Sequence, residues 1–80
     1  MDLRSELIKF VNESLLRGEG DVQPDTSLID LGIVDSVGLM ELMGFLEERT
    51  GLRIPDHYVN PDNFQSVESM EKMLETLKGS

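Results

Sequence analysis

The sequence predicts an all-α fold, a four-helix bundle of three main helices and one short helix, with a long ordered loop between helices one and two. Three observations carry this. Apolar residues recur at helical spacing in three separate stretches. Each stretch lies between residues that favour helix starts and a glycine that favours helix ends. No run alternates apolar and polar residues as a half-buried strand would. The 80 residues are expected to form one domain, at a size where a single core is only just sufficient.

Helix one is expected from about Asp2 to Arg17. Leu3, Leu7, Ile8, Val11 and Leu15 make its stripe, Asp2 and Glu6 suit a first turn, and Arg17-Gly18 reads as a stop. Phe10 and Leu16 lie off that stripe and widen the buried face. From Gly18 to Val34 the pattern breaks, with Gly18, Gly20, Pro24 and Gly32 as punctuation. A connection this long is uncommon in a small domain unless it is functional. Leu28, Leu31 and Ile33 or Val34 are placed to pin it on the helices, and Thr26 or Ser27 to cap a short turn through Leu31.

Helix two is expected from about Ser36 to Thr50, with Gly51 as its stop. Leu39, Leu42, Met43 and Leu46 keep the spacing of a buried face. Val37, Met40, Glu41, Gly44, Glu47 and Glu48 share the opposite side with Ser36. That side reads as a small binding patch, apolar beside the serine and acidic further down. Gly38 and Gly44 each weaken a helix by roughly 1 kcal/mol relative to Ala, which suggests close approach of something to them. Asp35, or the Ser36 after it, is the N-cap signal. Ser36 therefore stands at a helix N-terminus, where free N–H groups and the dipole both favour phosphate. A serine carrying a phosphodiester fits this place; so does a pair that only caps the helix.

Leu52-Arg53-Ile54-Pro55 is extended, because the residue before proline is pushed out of helical geometry. Asp56-His57-Tyr58-Val59 suits one helical turn. Ser66 caps a last helix with Val67, Met70, Met73, Leu74 and Leu77 on its stripe, Phe64 stapling its start and Lys78-Gly79 its end.

Composition narrows the function. There is no cysteine, hence no disulfide framework and no thiol of the chain's own. His57 is the single histidine, without companions for a metal site or a catalytic pair. Ser36 has no base within plausible sequence reach, and Glu47-Glu48, being adjacent, point apart on a helix. Catalysis by the chain itself is therefore not expected. Neither a basic-then-apolar leader nor a membrane-length apolar run is present, so a cytoplasmic protein, a monomer without a membrane partner, is expected. The net charge is -9, and -8 of it lies between Arg17 and Arg49, where eight acids stand without a Lys or Arg. Such a face repels nucleic acid and steers basic protein surfaces toward itself.

Taken together, Asp25-Thr26-Ser27-Leu28, Leu31-Gly32, Asp35-Ser36-Val37, Glu41-Leu42, Leu46-Glu47-Glu48 and Ile54-Pro55-Asp56 resemble the acyl carrier protein family over nearly the whole chain. The resemblance implies that a phosphopantetheinyl transferase moves 4'-phosphopantetheine from coenzyme A to the Ser36 oxygen, beside Asp35. The arm's thiol then carries an acyl or aminoacyl group as a thioester. Val37, Met40, Glu41, Gly44, Glu47 and Glu48 would be the face offered to the basic surfaces of synthases, transferases or ligases. Fatty-acid-synthesis members usually have a small residue between the glycine and Asp-Ser, and often an acid two places after the serine. Here Ile33-Val34 and Gly38 stand instead. Gly-Ile-Val-Asp-Ser-Val-Gly and Asn60-Pro61-Asp62-Asn63-Phe64 look more like D-alanyl and peptidyl carriers, which are loaded by adenylate-forming ligases. The alternative is an acidic helical interaction module that keeps the fold and is never modified.

Overall fold

A computed structural model of the protein describes residues 2–79; Met1 and Ser80, the ends of the expected domain, lie outside the described residues. The chain is all-helical. It contains α1 (Leu3–Phe10), a π-helical turn (Val11–Leu15), α2 (Ser36–Thr50), a 3-10 turn (Asp56–Tyr58) and α3 (Val67–Lys78), with no strand among the described residues.

Helix one differs from its expected span of 2–17. Asp2 stands outside it as the N-cap, its carboxylate accepting from Arg4 N. The α-helical ladder ends at Phe10, and the next turn widens, with Leu16 N donating to Val11 O across five residues at 2.9 Å. Over a single turn, apolar spacing fits either ladder, so the sequence pattern did not separate them. The widened turn is also tied to the crossover segment, because Asn12 Oδ1 accepts from Val22 N at 3.0 Å. Arg17 and Gly18 leave the turn in the left-handed region, the stop expected there.

The crossover between residues 19 and 35 is stitched to the start of α3 and to the residue before its cap. Glu68 N donates to Pro24 O at 3.0 Å and Leu28 N to Gln65 O at 2.7 Å. The first of these satisfies an N–H that the start of α3 leaves without a helical acceptor; Ser66 Oγ satisfies the next, accepting from Ser69 N. Ser27 Oγ accepts from Asp30 N at 3.3 Å, while Thr26 Oγ1 faces back to Gln23 N. Leu28 is fully buried and Ile33 and Val34 pack on the core, as expected, but Leu31 is exposed. Val22, which no periodicity marked, is buried in its stead. The segment lies close against the helices, since the Cα radius of gyration is 11.5 Å, about the value for a packed domain of this length.

Leu7, Val11, Leu42, Leu46, Phe64, Val67 and Met70 form the centre of the core with Leu28. Fully burying each such side chain contributes about 1.5–3 kcal/mol. Leu39 and Met43 sit at its edge rather than within it. Two ion pairs brace the helices from outside. Arg4 meets both Glu71 carboxylate oxygens through Nε, with Nη2 at 2.6 Å, joining α1 to α3. The hydrogen bond to Glu71, and then its charge, holds the Arg4 pKa above the ordinary arginine value. Arg49 reaches Glu6 at 2.7 Å, joining α2 to α1. Gly51, at φ +73°, closes α2 with its N–H on Glu47 O, a left-handed C-cap that only glycine adopts without strain.

Candidate functional site

Asp35 is the N-cap of α2. Its backbone is extended, its Oδ1 accepts from Gly38 N at 2.7 Å, and its carbonyl takes the first helical bond, from Leu39 N. Ser36 is thereby the first helical residue rather than the cap. It is exposed. Neither its hydroxyl nor the N–H groups of Ser36 and Val37 find a hydrogen-bond partner among the described residues. The first turn of α2 carries no acidic side chain. An exposed, uncommitted hydroxyl beside two free N–H groups at a positive helix end fits a phosphodiester.

Below it, Val37 and Met40 are about two-thirds exposed, at 65% and 66%. Glu41, Gly44 and Glu48 continue the same exposed face. Met40, Glu41, Gly44 and Glu48 line an open groove of about 570 Å³ whose other wall is Phe10, Ser14 and Phe45. Glu47 stands differently from these. It is half-buried, and its Oε2 accepts from Ile54 N at 2.8 Å. Its carboxylate is turned to the chain's own extended link.

The sequence reading missed the far wall of the groove. Phe10 and Phe45 stack with centroids 4.4 Å apart, and Arg49 lies over the Phe45 ring. The signal was available, since each phenylalanine lies off its own helix's apolar stripe. Ile29 and Leu31 are also exposed, in the turn before Gly32. Of the two helical glycines expected to admit a close neighbour, Gly38 lies against the chain's own Ile33 carbonyl, while the surface at Gly44 is open, a Cβ there meeting nothing within 4 Å. His57 is exposed and packs on Tyr58 at 4.7 Å. Among the described residues there is no cluster of metal-ligating side chains and no helix long and apolar enough to cross a membrane.

The family model for the phosphopantetheine attachment site matches residues 5–74. The chain belongs to that family. It is a carrier protein, and the prosthetic group of its family is 4'-phosphopantetheine. Among its relatives, aminoacyl carrier protein 1 of Bradyrhizobium diazoefficiens is 36% identical over 77 residues, covering 94% of this chain and 84% of that one. The D-alanyl carrier protein of Streptococcus sanguinis is 28% identical over 80 residues and the full length of both. The carrier is also similar to a chain in the crystal structure of Bradyrhizobium japonicum glycine–carrier protein ligase, complexed with its cognate carrier protein and an analogue of glycyl adenylate. That match has a TM-score of 0.71 and 36% identity, over 94% of this chain and 99% of the other.

Proposed function

We propose that Ser36 is the residue that carries the 4'-phosphopantetheine arm, and that the arm holds an aminoacyl group as a thioester. The observation that carries this reading is the Ser36 hydroxyl, exposed and uncommitted on the first residue of α2 behind the Asp35 cap. The arm supplies a thiol, which a chain without cysteine lacks. The residues here hold and present: Asp35 fixes the helix start, and the two free N–H groups of Ser36 and Val37 would hold the phosphate. The carrier catalyses nothing itself; coenzyme A and a phosphopantetheinyl transferase supply the arm.

An adenylate-forming ligase is the loading partner that the two relatives and the ligase complex favour over a fatty acid synthase. Val37, Met40, Glu41, Gly44 and Glu48 form the face offered to it, with Glu47 contributing charge from behind. An acidic, partly apolar face of this kind suits a partner surface that is basic with apolar centres. In this reading the 3-10 turn Asp56–Tyr58 is the short helix of a four-helix carrier bundle, and the protein acts as a cytoplasmic monomer.

The test is to incubate the protein with coenzyme A and a promiscuous phosphopantetheinyl transferase and record intact mass. A gain of one arm that disappears in Ser36→Ala is expected. No gain, or a gain that survives the substitution, overturns the assignment; material from the native host found only unmodified supports the interaction-module reading. A ligase, ATP and an amino acid should then add one residue to the modified protein, releasable by hydroxylamine.

A further inference from the structure

Gly38 is the one buried residue in an otherwise exposed turn: Asp35, Ser36, Val37, Met40 and Glu41 around it are all exposed or half-exposed. What covers it is the chain's own backbone. A Cβ placed on Gly38 would overlap the carbonyl oxygen of Ile33, and would lie 3.0 Å from that carbonyl's carbon and 3.2 Å from Asp35 Oδ1. On the other side, the Gly38 N–H donates to Asp35 Oδ1 at 2.7 Å. Gly38 is therefore clasped by the two residues that flank Val34, immediately before Ser36. The requirement is steric. Gly38 has no positive φ, so alanine suits its backbone and fails only for want of space.

We infer that Gly38 is a positioning residue for Ser36, the missing side chain letting the Ile33 carbonyl seat on the first turn of α2 and so setting where the hydroxyl is presented. Ile33 and Val34 are packed against the core, so Ile33 has little freedom to swing away from an added methyl. Between Ile33 and Ser36 there are only Val34 and Asp35. Any shift that relieves the overlap is passed through the cap to the serine, or is taken up by fraying the turn that holds it. Gly44 supplies the comparison within the same helix, because a methyl there meets nothing within 4 Å.

The inference rests on Ser36 being the attachment point. In that reaction the Ser36 oxygen forms a bond to the phosphorus nearest the pantetheine in coenzyme A. The pyrophosphate P–O bond breaks, adenosine 3',5'-bisphosphate leaves with the electron pair, and the hydroxyl proton passes to a base of the transferase or to water. An in-line displacement depends on where the attacking oxygen stands, and a misplacement of about 1 Å can cost on the order of a hundredfold.

The experiment measures kcat and KM for arm transfer to the wild type, Gly38→Ala, Gly44→Ala and the double variant, with thermal melts of each. Gly38→Ala should lower kcat by about tenfold to a hundredfold, with KM little changed because Met40, Glu41 and Glu48 are untouched. Gly44→Ala, on the docking face, should melt higher, and its own measured rate is the reference against which the double variant is read. The double variant should recover melting temperature and not kcat. If kcat returns with stability, or Gly38→Ala reacts as fast as wild type, the positioning role is wrong. A wild type that gains no arm, or gains one that Ser36→Ala keeps, defeats the attachment assignment instead.

Discussion

Glu47 and Ile54 are joined by a hydrogen bond of 2.8 Å from the Ile54 N–H to Glu47 Oε2. It spans the turn at Gly51 and fastens the extended link to the last turns of α2, leaving Ile54 buried against the core. A bond from a backbone N–H to a partly buried carboxylate contributes about 1.5–3 kcal/mol. Glu47→Ala should therefore destabilise the protein by about 1.5–3 kcal/mol in urea unfolding. Glu47→Gln, which keeps an acceptor, should lose less than half of that. Equal losses would mean that the bond does not hold the link.

Glu41 is the cleaner probe of docking, because its carboxylate is exposed and makes no hydrogen bond or ion pair among the described residues. Glu41→Lys should leave the melting curve within about 0.5 kcal/mol of wild type and slow both arm transfer and loading several-fold, through the association rate. The difference should shrink between physiological salt and 1 M, as the screening length falls from about 8 Å to about 3 Å. Rates indifferent to both charge and salt refute a docking role for this face. Glu48→Lys should behave alike.

The Asp35 cap makes a separate prediction. Asp35→Ala removes the acceptor for Gly38 N and should cost about 1 kcal/mol of stability, with Asp35→Asn or Asp35→Ser recovering most of it. Arm transfer should fall with Asp35→Ala by more than the unfolded fraction accounts for, since the first turn that presents Ser36 frays. Measuring rate and melting temperature on the same samples separates the two effects.

What the sequence made legible was the periodic part. Leu7, Val11, Leu42, Leu46 and most of the α3 stripe are buried where helical spacing puts them, and Ser66, Gly51 and Gly79 end or begin helices as their chemistry dictates. The site was legible through a different channel: Asp-Ser before an apolar run implies a capped helix start, whatever the rest of the fold does. Three things were hidden for physical reasons. The widened turn at Val11–Leu15 keeps the apolar spacing of an ordinary helix. Val22 and Leu31 exchanged places because burial in an irregular segment is governed by its tertiary hydrogen bonds, here to Asn12, Gln65 and Glu68. The bond from Ile54 N to Glu47 Oε2 is hidden because helical position fixes the direction of a side chain's root and not the partner its carboxylate finds.

The stack of Phe10 on Phe45 ties the end of α1 to the middle of α2, with ring centroids 4.4 Å apart and planes inclined by 22°. Both rings are half-buried, so each single truncation to alanine removes apolar contact as well as the aromatic pair, and neither single value isolates the stack. A double-mutant cycle does. Phe10→Ala, Phe45→Ala and the double variant should give a coupling of about 0.5–1.5 kcal/mol. Arg49 complicates one arm, because it lies 5.1 Å from the Phe45 ring centroid while also pairing with Glu6. Repeating the cycle in Arg49→Gln removes that contribution and should leave the ring–ring coupling in place. A coupling near zero in both backgrounds would mean that the rings fill space independently, and that α1 is held to α2 by the core and the Arg49–Glu6 pair.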